Sequence, residues 1–433
     1  MKYQEAMKYI TEVGNFGSNY GLERTYKLLE LLDNPQDKIK VIHVAGTNGK
    51  GSTTAMITSI LKGCGYKVGM YTSPYLEEFE ERMQINGENI PKEKLAELMT
   101  EIKYAVDRVI EEGYNHPTEF EIITVLMFLY FAREKVDFAV VEVGLGGRLD
   151  STNVVKPILS VITSISFDHT NLLGNTLEEI AGEKAGIIKK DIPTVIYPQE
   201  EVVEKVIEDK CLAMNSKLYK IEKVQAELID LVKEDKIYQV VKVALEDEYL
   251  IKLPLLGEHQ ILNLAVALKA VEVIKPYINS ISKELIEEVL KDVRWNGRLE
   301  VMSKEPYVVI DGAHNIQGIT QLNKNIKKYF EYKNLYLILG ILADKDVEHM
   351  VKVITPEAKK VFTVTPNSIR AESAEELALE VKKYNSNCIS YDNYKKAYED
   401  ALSECNTDDL LVISGSLYMI GEMRGIIKNY NSK

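Results

Sequence analysis

The sequence predicts an α/β protein with two domains, each built on a mostly parallel β-sheet that is covered by helices. Three observations favour this fold class. The chain has 433 residues, which is longer than a single hydrophobic core usually supports, and 45% of the residues are hydrophobic. Short apolar runs alternate with longer segments of helical periodicity. This alternation occurs in two separate series, so we expect one sheet for each.

The first series lies between residues 40 and 200. Continuous apolar runs are typical of parallel strands that are buried on both faces. The strand candidates are KVIHVAG, YKVGMYTS, VDFAVVEVG, ILSVITSI and IPTVIY, and KEKLAELMTEIKYAVDRVIEE has helical periodicity. From about residue 216 to 253 the pattern changes to short alternating strands, which predicts a small antiparallel appendage on this first domain. Two helical segments follow the appendage.

The second series begins after Arg298. Its strand candidates, separated by helical segments, are YVVIDGA, NLYLILGIL, KKVFTVTP, CIS and DLLVISGS. Asn296 and Gly297 break the helical pattern before it. We therefore expect a first domain over residues 1–296, of the P-loop type, and a second domain over residues 297–433, a Rossmann-like α/β unit.

Composition excludes several classes of partner. The formal net charge of -13 disfavours a nucleic-acid partner, because phosphates would be repelled. No segment has the apolar length of a signal peptide core or a membrane span. The four cysteines are scattered without paired spacing, which fits a reducing compartment. We expect a cytoplasmic monomer with small-molecule partners and with no membrane or nucleic-acid partner.

The stretch HVAGTNGKGSTTAM, residues 43–56, joins the first strand to a helix that we expect to begin near Ser52 or Thr53. Such a turn wraps backbone N–H groups and a helix N-terminus around phosphate oxygens. Lys50 adds positive charge, and the two hydroxyls are available to a phosphate or to Mg²⁺. A tight turn alone would not need a lysine, so we predict phosphate binding here.

The spacing nevertheless departs from the general phosphate-loop signature. That signature has four residues between the first glycine and Gly-Lys, and Ser or Thr directly after the lysine. Here two residues separate Gly46 from Gly49, and Gly51 follows Lys50.

Three polar residues follow other predicted strands of the first series. Ser73, Glu142 and His169 each lie at or just past a carboxyl end, the edge where open parallel sheets bind ligands. A hydroxyl, a carboxylate and an imidazole can together hold a divalent ion that bridges to phosphate. Each residue also has a plainer interpretation, as a turn residue, a strand-end charge and a loop histidine. Their shared position beside the phosphate loop favours a site.

Four further residues are candidates for the same region. Lys184, in the helical segment LEEIAGEKAGIIK, could face the site, although an exposed surface lysine is the alternative. Asn263, Asp311 and His314 lie at the start of a helix and the end of a strand, where they could contact a base or ribose. The alternatives are a helix-surface amide for Asn263 and a turn or cap former for Asp311.

The combined motifs resemble the folylpolyglutamate synthase and dihydrofolate synthase family, a branch of the Mur-type ATP-dependent amide ligases. The resemblance covers nearly the whole chain, and GTNGKGS is the shortened phosphate loop of that family. The other motifs, in family order, are TSPYL, ERMQING, TEFE, EVGLGGRLDSTN, DHTNLLGNTLEEIAGEKAGIIK, GEHQILN, WNGRLE, DGAHN and SGSLYMIGEMR.

The resemblance implies a role for each set of residues. The implied ATP ligands are Asn48, Gly49, Lys50, Gly51, Ser52, Asn263, Arg298, Asp311 and His314. The implied ligands of two Mg²⁺ ions are Ser73, Glu142 and His169. The implied contacts to a pterin-bearing substrate are Thr118, Glu119, Phe120, Glu121, Leu149, Asp150 and Ser151. The implied catalytic residues are Lys50, Glu142, His169 and a carbamylated Lys184, whose modification turns an ammonium into a carboxylate suited to a metal site.

The implied activity is the ATP-dependent addition of L-glutamate through an acyl phosphate, with ADP and phosphate as products, in folate and one-carbon metabolism. The acceptor is dihydropteroate, the glutamate tail of tetrahydrofolate, or both, and TEFE with Asp150 favours both. Within the same class, the alternative is a Mur-type ligase that acts on another carboxylate. A nucleotide switch without ligase chemistry is the alternative from another class, and it leaves Asp311 and His314 unexplained.

The sequence departs from the family pattern at two places. Asn296 stands in WNGRLE where proline is frequent, which should affect only the stiffness of the connection between the domains. Tyr75 stands in TSPYL where histidine is frequent, which affects contacts beside the predicted metal site.

Overall fold

The computed structural model of the chain describes residues 1–13, 21–368 and 370–432. The helices are α1 (Tyr3–Val13), α2 (Glu23–Leu31), α3 (Lys50–Gly63), α4 (Lys92–Glu111), α5 (Glu119–Arg133), α6 (Thr170–Leu173), α7 (Leu177–Ala185), α8 (Glu201–Ala213), α9 (Glu258–Ile274), α10 (Lys283–Leu290), α11 (Ile316–Tyr329), α12 (Val347–Ile354), α13 (Ala374–Lys382), α14 (Tyr394–Glu404) and α15 (Leu417–Asn431). Within the described ranges, no helix is both long and apolar enough to cross a bilayer.

The strands form three sheets. The first contains β1 (Lys40–Ala45), β2 (Val68–Tyr71), β3 (Met83–Ile85), β4 (Glu88–Asn89), β5 (Phe138–Glu142), β6 (Leu159–Ile162), β7 (Thr194–Ile196) and β8 (Leu218–Lys220). The second contains β9 (Ala226–Lys233), β10 (Ile237–Ala244) and β11 (Glu248–Leu253). The third contains β12 (Glu300–Lys304), β13 (Tyr307–Asp311), β14 (Leu335–Leu339), β15 (Lys360–Val364), β16 (Cys388–Tyr391) and β17 (Leu410–Ser414).

The first sheet has the strand order β4-β3-β2-β5-β1-β6-β7-β8. Every pairing from β2 to β8 is parallel, and β3 and β4 add an antiparallel edge. All five strands predicted in this part are confirmed. The short strands β3, β4 and β8 were not predicted, because their few and partly polar residues give no apolar run. Residues 218–220 were expected in the antiparallel appendage, but as β8 they pair in parallel with β7 in the first sheet. In the centre, Val44 of β1 pairs with Glu142 of β5, and Ala45 pairs with Ile162 of β6, so their carboxyl ends are level.

Both faces of the first sheet are buried. Alternate residues of a strand point to opposite faces, and in β1 Val41 packs into a cluster with α1, α2, α4 and α5. Its neighbours Ile42 and Val44 pack on the other face against α3, α9 and α10. This two-sided burial explains the continuous apolar runs of the sequence.

The antiparallel sheet β9–β11 is confirmed as an element, but it contacts both halves of the chain rather than the first alone. Val241 and Ile251 pack with the first sheet, whereas Ile237 packs with residues that follow Leu299. The hydroxyl of Tyr329, on α11, donates a hydrogen bond to Gln239 Oε1 at 2.5 Å. The sequence could not predict these contacts, because they join segments about ninety residues apart.

The third sheet has the order β12-β13-β17-β14-β15-β16. Its five predicted strands, β13 to β17, are confirmed and are parallel, whereas β12 was not predicted and pairs antiparallel with β13. Together the sheets confirm the predicted fold class. We propose the division into residues 1–296 and 297–433, which falls in the connection between α10 and β12.

Arg424, on α15, links the last helix to the loop that follows β2. Its guanidinium donates to the Glu300 carboxylate from Nε at 3.0 Å and from Nη2 at 2.7 Å, and to Glu77 Oε2 from Nη1 at 2.8 Å. Lys428 donates to the same Glu77 carboxylate at 2.9 Å. A Cβ on Gly421 would lie 1.8 Å from the Leu76 carbonyl oxygen. Helix α15 therefore packs directly on this loop.

We expect Arg424→Met to lower the free energy of unfolding by about 1–3 kcal/mol, because two carboxylates would then face each other without their shared cation. The matched variant Lys428→Met removes a half-exposed cation from the same cluster and should cost less than about 1 kcal/mol. Urea denaturation of both variants measures the difference. An equal loss of unfolding free energy in the two variants would contradict the larger stabilising role that we assign to Arg424.

Candidate active site

Residues just beyond the carboxyl ends of strands in both large sheets line one cavity of about 830 Å³. All the residues predicted for ATP, metal binding and catalysis line it: Asn48, Gly49, Lys50, Gly51, Ser52, Ser73, Glu142, His169, Lys184, Asn263, Arg298, Asp311 and His314. A second cavity, of about 620 Å³, adjoins the first. The residues predicted for the acid substrate line it: Thr118, Glu119, Phe120, Glu121, Leu149, Asp150 and Ser151.

The phosphate loop follows β1 and leads directly into α3, which begins at Lys50. The predicted start near Ser52 or Thr53 was two to three residues too late. Gly49 has φ +89° and precedes the first helical residue, a backbone conformation that glycine adopts without strain. Lys50 Nζ donates to the carbonyl oxygens of Gly46 and Thr47, each at 3.1 Å.

The structure explains why glycine follows Lys50, where the general signature has Ser or Thr. A Cβ on Gly51 would lie 2.2 Å from the ring of Trp295, so only glycine lets the indole pack on the first turn of α3. Asn263, predicted either as a ligand or as a surface amide, is buried on α9. A Cβ on Gly49 would lie 2.5 Å from its Oδ1. The surface interpretation of Asn263 is therefore wrong.

Glu142 ends β5 with its carboxylate buried. Its Oε2 accepts a hydrogen bond from the Ser73 backbone N–H at 3.3 Å, and its Oε1 lies 3.9 Å from Lys50 Nζ. Burial raises the pKa of Glu142, and the charge of Lys50 opposes that rise. The carboxylate thus has one weak hydrogen bond, and the two cations that act on it, Lys50 at 3.9 Å and Arg298, leave its negative charge incompletely balanced.

His169 stands at a sharp turn before α6, with φ +48°. Burial lowers its pKa, so the ring is neutral at pH 7 and can offer a lone pair. The adjacent Asp168 accepts a hydrogen bond at 3.0 Å from Lys345 Nζ, which belongs to the second half of the chain. Burial raises the pKa of Asp168, but the charge of Lys345 and its hydrogen bond to the carboxylate outweigh that effect and hold the pKa well below its usual range.

Lys184, on α7, is buried, so its interpretation as an exposed surface lysine is wrong. Its Nζ donates to the Gly46 carbonyl oxygen at 2.8 Å, the same oxygen that accepts from Lys50. Burial lowers the pKa of Lys184 to about 7, and the charge of Lys50 adds to this effect. A substantial fraction of its amine is therefore neutral at physiological pH.

The second half of the chain contributes Arg298, Asp311 and His314. Asp311 accepts hydrogen bonds from the backbone N–H groups of Leu299, at 2.7 Å, and Ala313, at 2.8 Å. This contact holds the Arg298 segment beside β13. His314 Nδ1 lies 2.7 Å from the Gly312 carbonyl oxygen, so Nδ1 carries the proton and Nε2 is the acceptor. Burial lowers the pKa of His314 to about 4.

In the second cavity, the Glu121 carboxylate is engaged in structural hydrogen bonds. Its carboxylate accepts from Arg24 Nε at 3.1 Å, from the Thr25 hydroxyl at 3.3 Å and from the Thr118 backbone N–H at 2.7 Å. Thr118 in turn caps the N-terminus of α5 by accepting from the Glu121 N–H at 3.3 Å. These contacts give Glu121 the role of holding the start of α5.

Asp150 is also buried and hydrogen-bonded. It accepts from the backbone N–H groups of Leu145 at 2.8 Å and Thr152 at 2.9 Å. The Thr152 hydroxyl lies 2.9 Å from His43 Nε2 inside β1. Burial raises the pKa of Asp150. The carboxylate therefore shapes the loop that carries Leu149 and Ser151.

Several lining residues were not identified from the sequence. Gln317 accepts a hydrogen bond from Asn48 Nδ2, and also one from the Ser166 hydroxyl at 2.7 Å, so it joins α11 to the phosphate loop. Gln317 lies 269 residues from Asn48, and no local pattern marks it. Ser416 is buried at the start of α15, and its hydroxyl has no hydrogen-bond partner among the described residues. Trp295 could have been found as the only tryptophan in the chain.

Among residues 1–13, 21–368 and 370–432, no group of three or more His, Cys, Asp and Glu side chains is arranged to hold a metal ion. The predicted set has two such side chains, Glu142 and His169, and its third donor is the Ser73 hydroxyl. Mg²⁺ commonly binds one or two carboxylates and completes its shell with substrate phosphates and water. The incompletely balanced charge of Glu142 fits that ion.

Family comparisons agree with this geometry. The family described as the Mur ligase middle domain matches residues 44–271, and the family described as the Mur ligase, glutamate ligase domain matches residues 297–417. The fold and the cavity between the two sheets thus define an ATP-dependent ligase of the Mur type.

Comparison with individual relatives identifies the family within this class of ligases. The dihydrofolate synthase/folylpolyglutamate synthase of Bacillus subtilis is 37% identical over 446 residues, covering 98% of this chain and 99% of the relative. The folylpolyglutamate synthase of Mycobacterium tuberculosis, solved with ADP and AMPPCP, has a TM-score of 0.90 at 30% identity, covering 98% and 99% of the two chains. An FPGS–AMPPCP–folate complex has a TM-score of 0.84 at 32% identity, covering 98% and 99%. This chain belongs to the folylpolyglutamate synthase and dihydrofolate synthase family, which confirms the resemblance.

We expect Lys184→Met to stabilise the protein in bicarbonate-free buffer, because it removes a buried amine. Below about pH 7 the folded and unfolded chains both carry the proton, and the cost of burying the charge is fully present. Between pH 7 and the ordinary lysine pKa of 10.5, the unfolded chain binds more protons, so wild-type stability rises with pH. The advantage of the variant, on the order of a few kcal/mol, therefore shrinks over that interval.

Denaturation of both proteins at several pH values measures this difference. The exposed Lys190→Met is the matched control and should show no such pH dependence. An advantage of Lys184→Met that grows with pH would contradict the expected sign.

Proposed function

We propose that this protein adds L-glutamate to dihydropteroate, to the glutamate tail of tetrahydrofolate, or to both, with ATP bound in the first cavity and the pterin-bearing acid in the second. The observation that carries the proposal is the junction of the two cavities. Five residues line both of them: Arg82, Phe120, Leu145, Gly146 and Leu173. An acid bound in one cavity can therefore present its carboxylate to a phosphate bound in the other.

The relatives support the choice of substrates. The Bacillus subtilis relative is named for dihydrofolate synthesis and for folylpolyglutamate synthesis, and one solved relative is a complex with AMPPCP and folate. The chain covers almost the full length of both. A Mur-type ligase for another carboxylate remains the competing substrate assignment, and no feature of the second cavity favours it.

The reaction has two steps. A carboxylate oxygen of the acid attacks the γ-phosphorus of ATP, and the bond to the bridging oxygen breaks, so ADP leaves and an acyl phosphate forms. The amine of L-glutamate then attacks the acyl carbon, the tetrahedral intermediate expels phosphate, and the nitrogen loses a proton as the amide forms. Phosphorylation is needed because a free carboxylate has no leaving group that an amine can displace in water.

The phosphate loop supplies the charge and dipoles for the first step. The N-terminus of α3 and the loop N–H groups would bind phosphate oxygens, and Lys50 would balance the charge that develops on them. Asn48 is joined to Gln317 of the second half, so the loop and α11 are held together around the nucleotide. Arg298, whose charge acts on Glu142, Asp311 and His314, would contact the nucleotide from the other side.

Ser73, Glu142 and His169 would hold Mg²⁺ at the phosphates. The ion would neutralise negative charge on the transferring group. A carbamylated Lys184 would add a carboxylate to this set. Its fit rests on the lowered pKa of its amine, since only a neutral amine can react with carbon dioxide.

The two halves of the chain contribute different residues to the site, and they are joined by contacts beside it. Contacts such as Lys345 to Asp168 cross between them. Closure of the two halves around the bound substrates would exclude water, which would otherwise hydrolyse the acyl phosphate. One chain lines both cavities, and we propose that it acts as a monomer. Its four free cysteines support our proposal of a cytoplasmic location.

We expect purified protein to release phosphate only when ATP, a pterin-bearing carboxylate and L-glutamate are all present. Separate assays with dihydropteroate and with tetrahydrofolate, with product identified by mass spectrometry, decide which acceptor is used. Lys50→Met should slow the reaction about 10²–10³-fold, because the charge beside the phosphates is lost. ATP turnover that is equal without either co-substrate, or amide formation on a different acid alone, would overturn the proposal.

For Lys184, we expect a carbamate signal by ¹³C NMR when the protein is supplied with ¹³C-labelled bicarbonate. The signal should rise with pH through about 7 as the buried amine becomes neutral. It should vanish in Lys184→Arg and persist in Lys189→Arg, a matched change at a lysine whose Nζ donates to the Asn153 carbonyl oxygen at 2.9 Å. A signal that survives Lys184→Arg would contradict the assignment.

A further inference from the structure

Gln317 carries a hydrogen-bond donor to which the reaction scheme assigns no role. The residue lies in the first turn of α11, in the second half of the chain, and is half-buried in the lining of the first cavity. Its side-chain oxygen accepts hydrogen bonds from Asn48 Nδ2 and from the Ser166 hydroxyl, the latter at 2.7 Å. Gln317 thus contacts two loops of the first half at once.

These two contacts fix the orientation of the amide. An amide oxygen has two lone pairs, and Asn48 and Ser166 occupy both of them. The amide nitrogen, which carries two N–H donors, therefore turns away from both partners. No residue in the described ranges accepts a hydrogen bond from it. Gln317 Nε2 is thus a preoriented and unused donor in the lining of the cavity.

Both partners of Gln317 belong to segments around the predicted phosphate site. Asn48 is part of the phosphate loop, and Ser166 lies three residues before His169, which we propose for the metal site. The Thr47 hydroxyl joins these two segments, because it donates to the Ser166 carbonyl oxygen and accepts from the Ser166 N–H, each at 3.1 Å. The Gln317 amide therefore lies between the loop proposed for phosphate and the loop proposed for the metal.

The loop after β6 also leads to the junction of the cavities. His169 is followed by the short helix α6, whose last residue, Leu173, lines both cavities. Of the three phosphates of ATP, only the γ-phosphate has to reach this junction, because the acid attacks it there. A donor on this side of the phosphate loop is thus placed to contact the γ-phosphate rather than the α- or β-phosphate.

A fixed neutral amide suits a phosphoryl group that changes partners. During the transfer, negative charge is spread over the three equatorial oxygens of the phosphoryl group, and an N–H donor directed at one of them stabilises that charge. Because the amide oxygen is already held, the donor need not reorganise during the reaction. The amide keeps its proton throughout: the bond from phosphorus to ADP breaks, and the bond to the carboxylate oxygen forms.

We propose that Gln317 is a further catalytic residue, whose Nε2 donates a hydrogen bond to a non-bridging oxygen of the transferring phosphoryl group. This assignment rests on the proposed function, and it adds that the second half of the chain contacts the reacting phosphate itself. The phosphate site is then complete only when α11 lies against the phosphate loop. Asn48 and Ser166 have the role of orienting the amide.

The test compares two nucleotides that differ in the γ-phosphate, ADP and the ATP analogue AMPPCP. Calorimetry in the presence of Mg²⁺ measures the Kd of each nucleotide. Gln317→Met removes the donor and keeps a similar side-chain length. We expect it to weaken AMPPCP binding about 10–100-fold, the range for loss of a hydrogen bond to a charged group, and to change ADP binding by less than about 3-fold.

Gln317→Glu separates a donor from a purely structural contact. Its carboxylate keeps the shape of the side chain and still accepts from Asn48 and Ser166, so a structural role alone predicts wild-type binding of both nucleotides. We expect instead that AMPPCP binding falls at least as far as in Gln317→Met, because a negative charge replaces the donor beside the γ-phosphate.

Gln321→Met and Gln321→Glu are the matched controls. Gln321 lies one turn further along α11 and lines the same cavity. Gln321→Met should keep the wild-type ratio of the two Kd values. Gln321→Glu measures how strongly a charge on this face of α11 acts on both nucleotides, and the loss of AMPPCP binding in Gln317→Glu should exceed it.

An equal change of both Kd values in the Gln317 variants, or wild-type binding of both nucleotides, would overturn the assignment. The comparison involves no acceptor, so its outcome does not depend on which acid the protein uses. A wild-type protein that binds neither nucleotide would instead overturn the proposed function, and the two failures are thus distinguishable. Retained ADP binding verifies that each variant is folded.

Discussion

The Gly46 carbonyl oxygen accepts hydrogen bonds from two lysines, Lys50 and Lys184, and the rest of the site depends on this shared contact. Two ammonium groups at one oxygen repel each other, and burial leaves little water to screen them. The repulsion is relieved by deprotonating or modifying Lys184, or by bringing anions to Lys50. A triphosphate and the buried Glu142 carboxylate are such anions. The geometry is therefore suited to polyanion binding before any ligand is considered.

The loop that follows β2 connects this charge centre to the substrate and to the last helix. It begins at Ser73, beside the Glu142 carboxylate, and ends at Arg82, between the two cavities. Between them, Glu77 binds Arg424 of α15. Helix α15 therefore contacts the same segment that carries Ser73, which we propose for the metal site, and Arg82, which lies at the cavity junction.

Much of the architecture was predictable because it depends on local patterns. Parallel strands buried on both faces give apolar runs, and every such run that was identified is a strand. The short strands β3, β4, β8 and β12, at or near the sheet edges, give no such run and were missed. Among site residues, Glu142 was identified from its place at the end of β5, and His169 from its place in the loop between β6 and α6. For Lys184 and Asn263 the sequence did not decide between a buried and an exposed position. Whether these two side chains are buried depends on tertiary packing, here on their packing against the phosphate loop.

The sequence by itself determined the two-sheet α/β class, the phosphate loop and the family, because these depend on periodicity and on motifs that are contiguous in the chain. The tertiary structure decided which groups share a cavity. It also assigned Glu121 to the cap of α5, explained Gly51 by the approach of Trp295, and placed Arg82 at the junction of the two cavities. Each of these depends on atoms brought together from distant segments, and no local pattern records such distances.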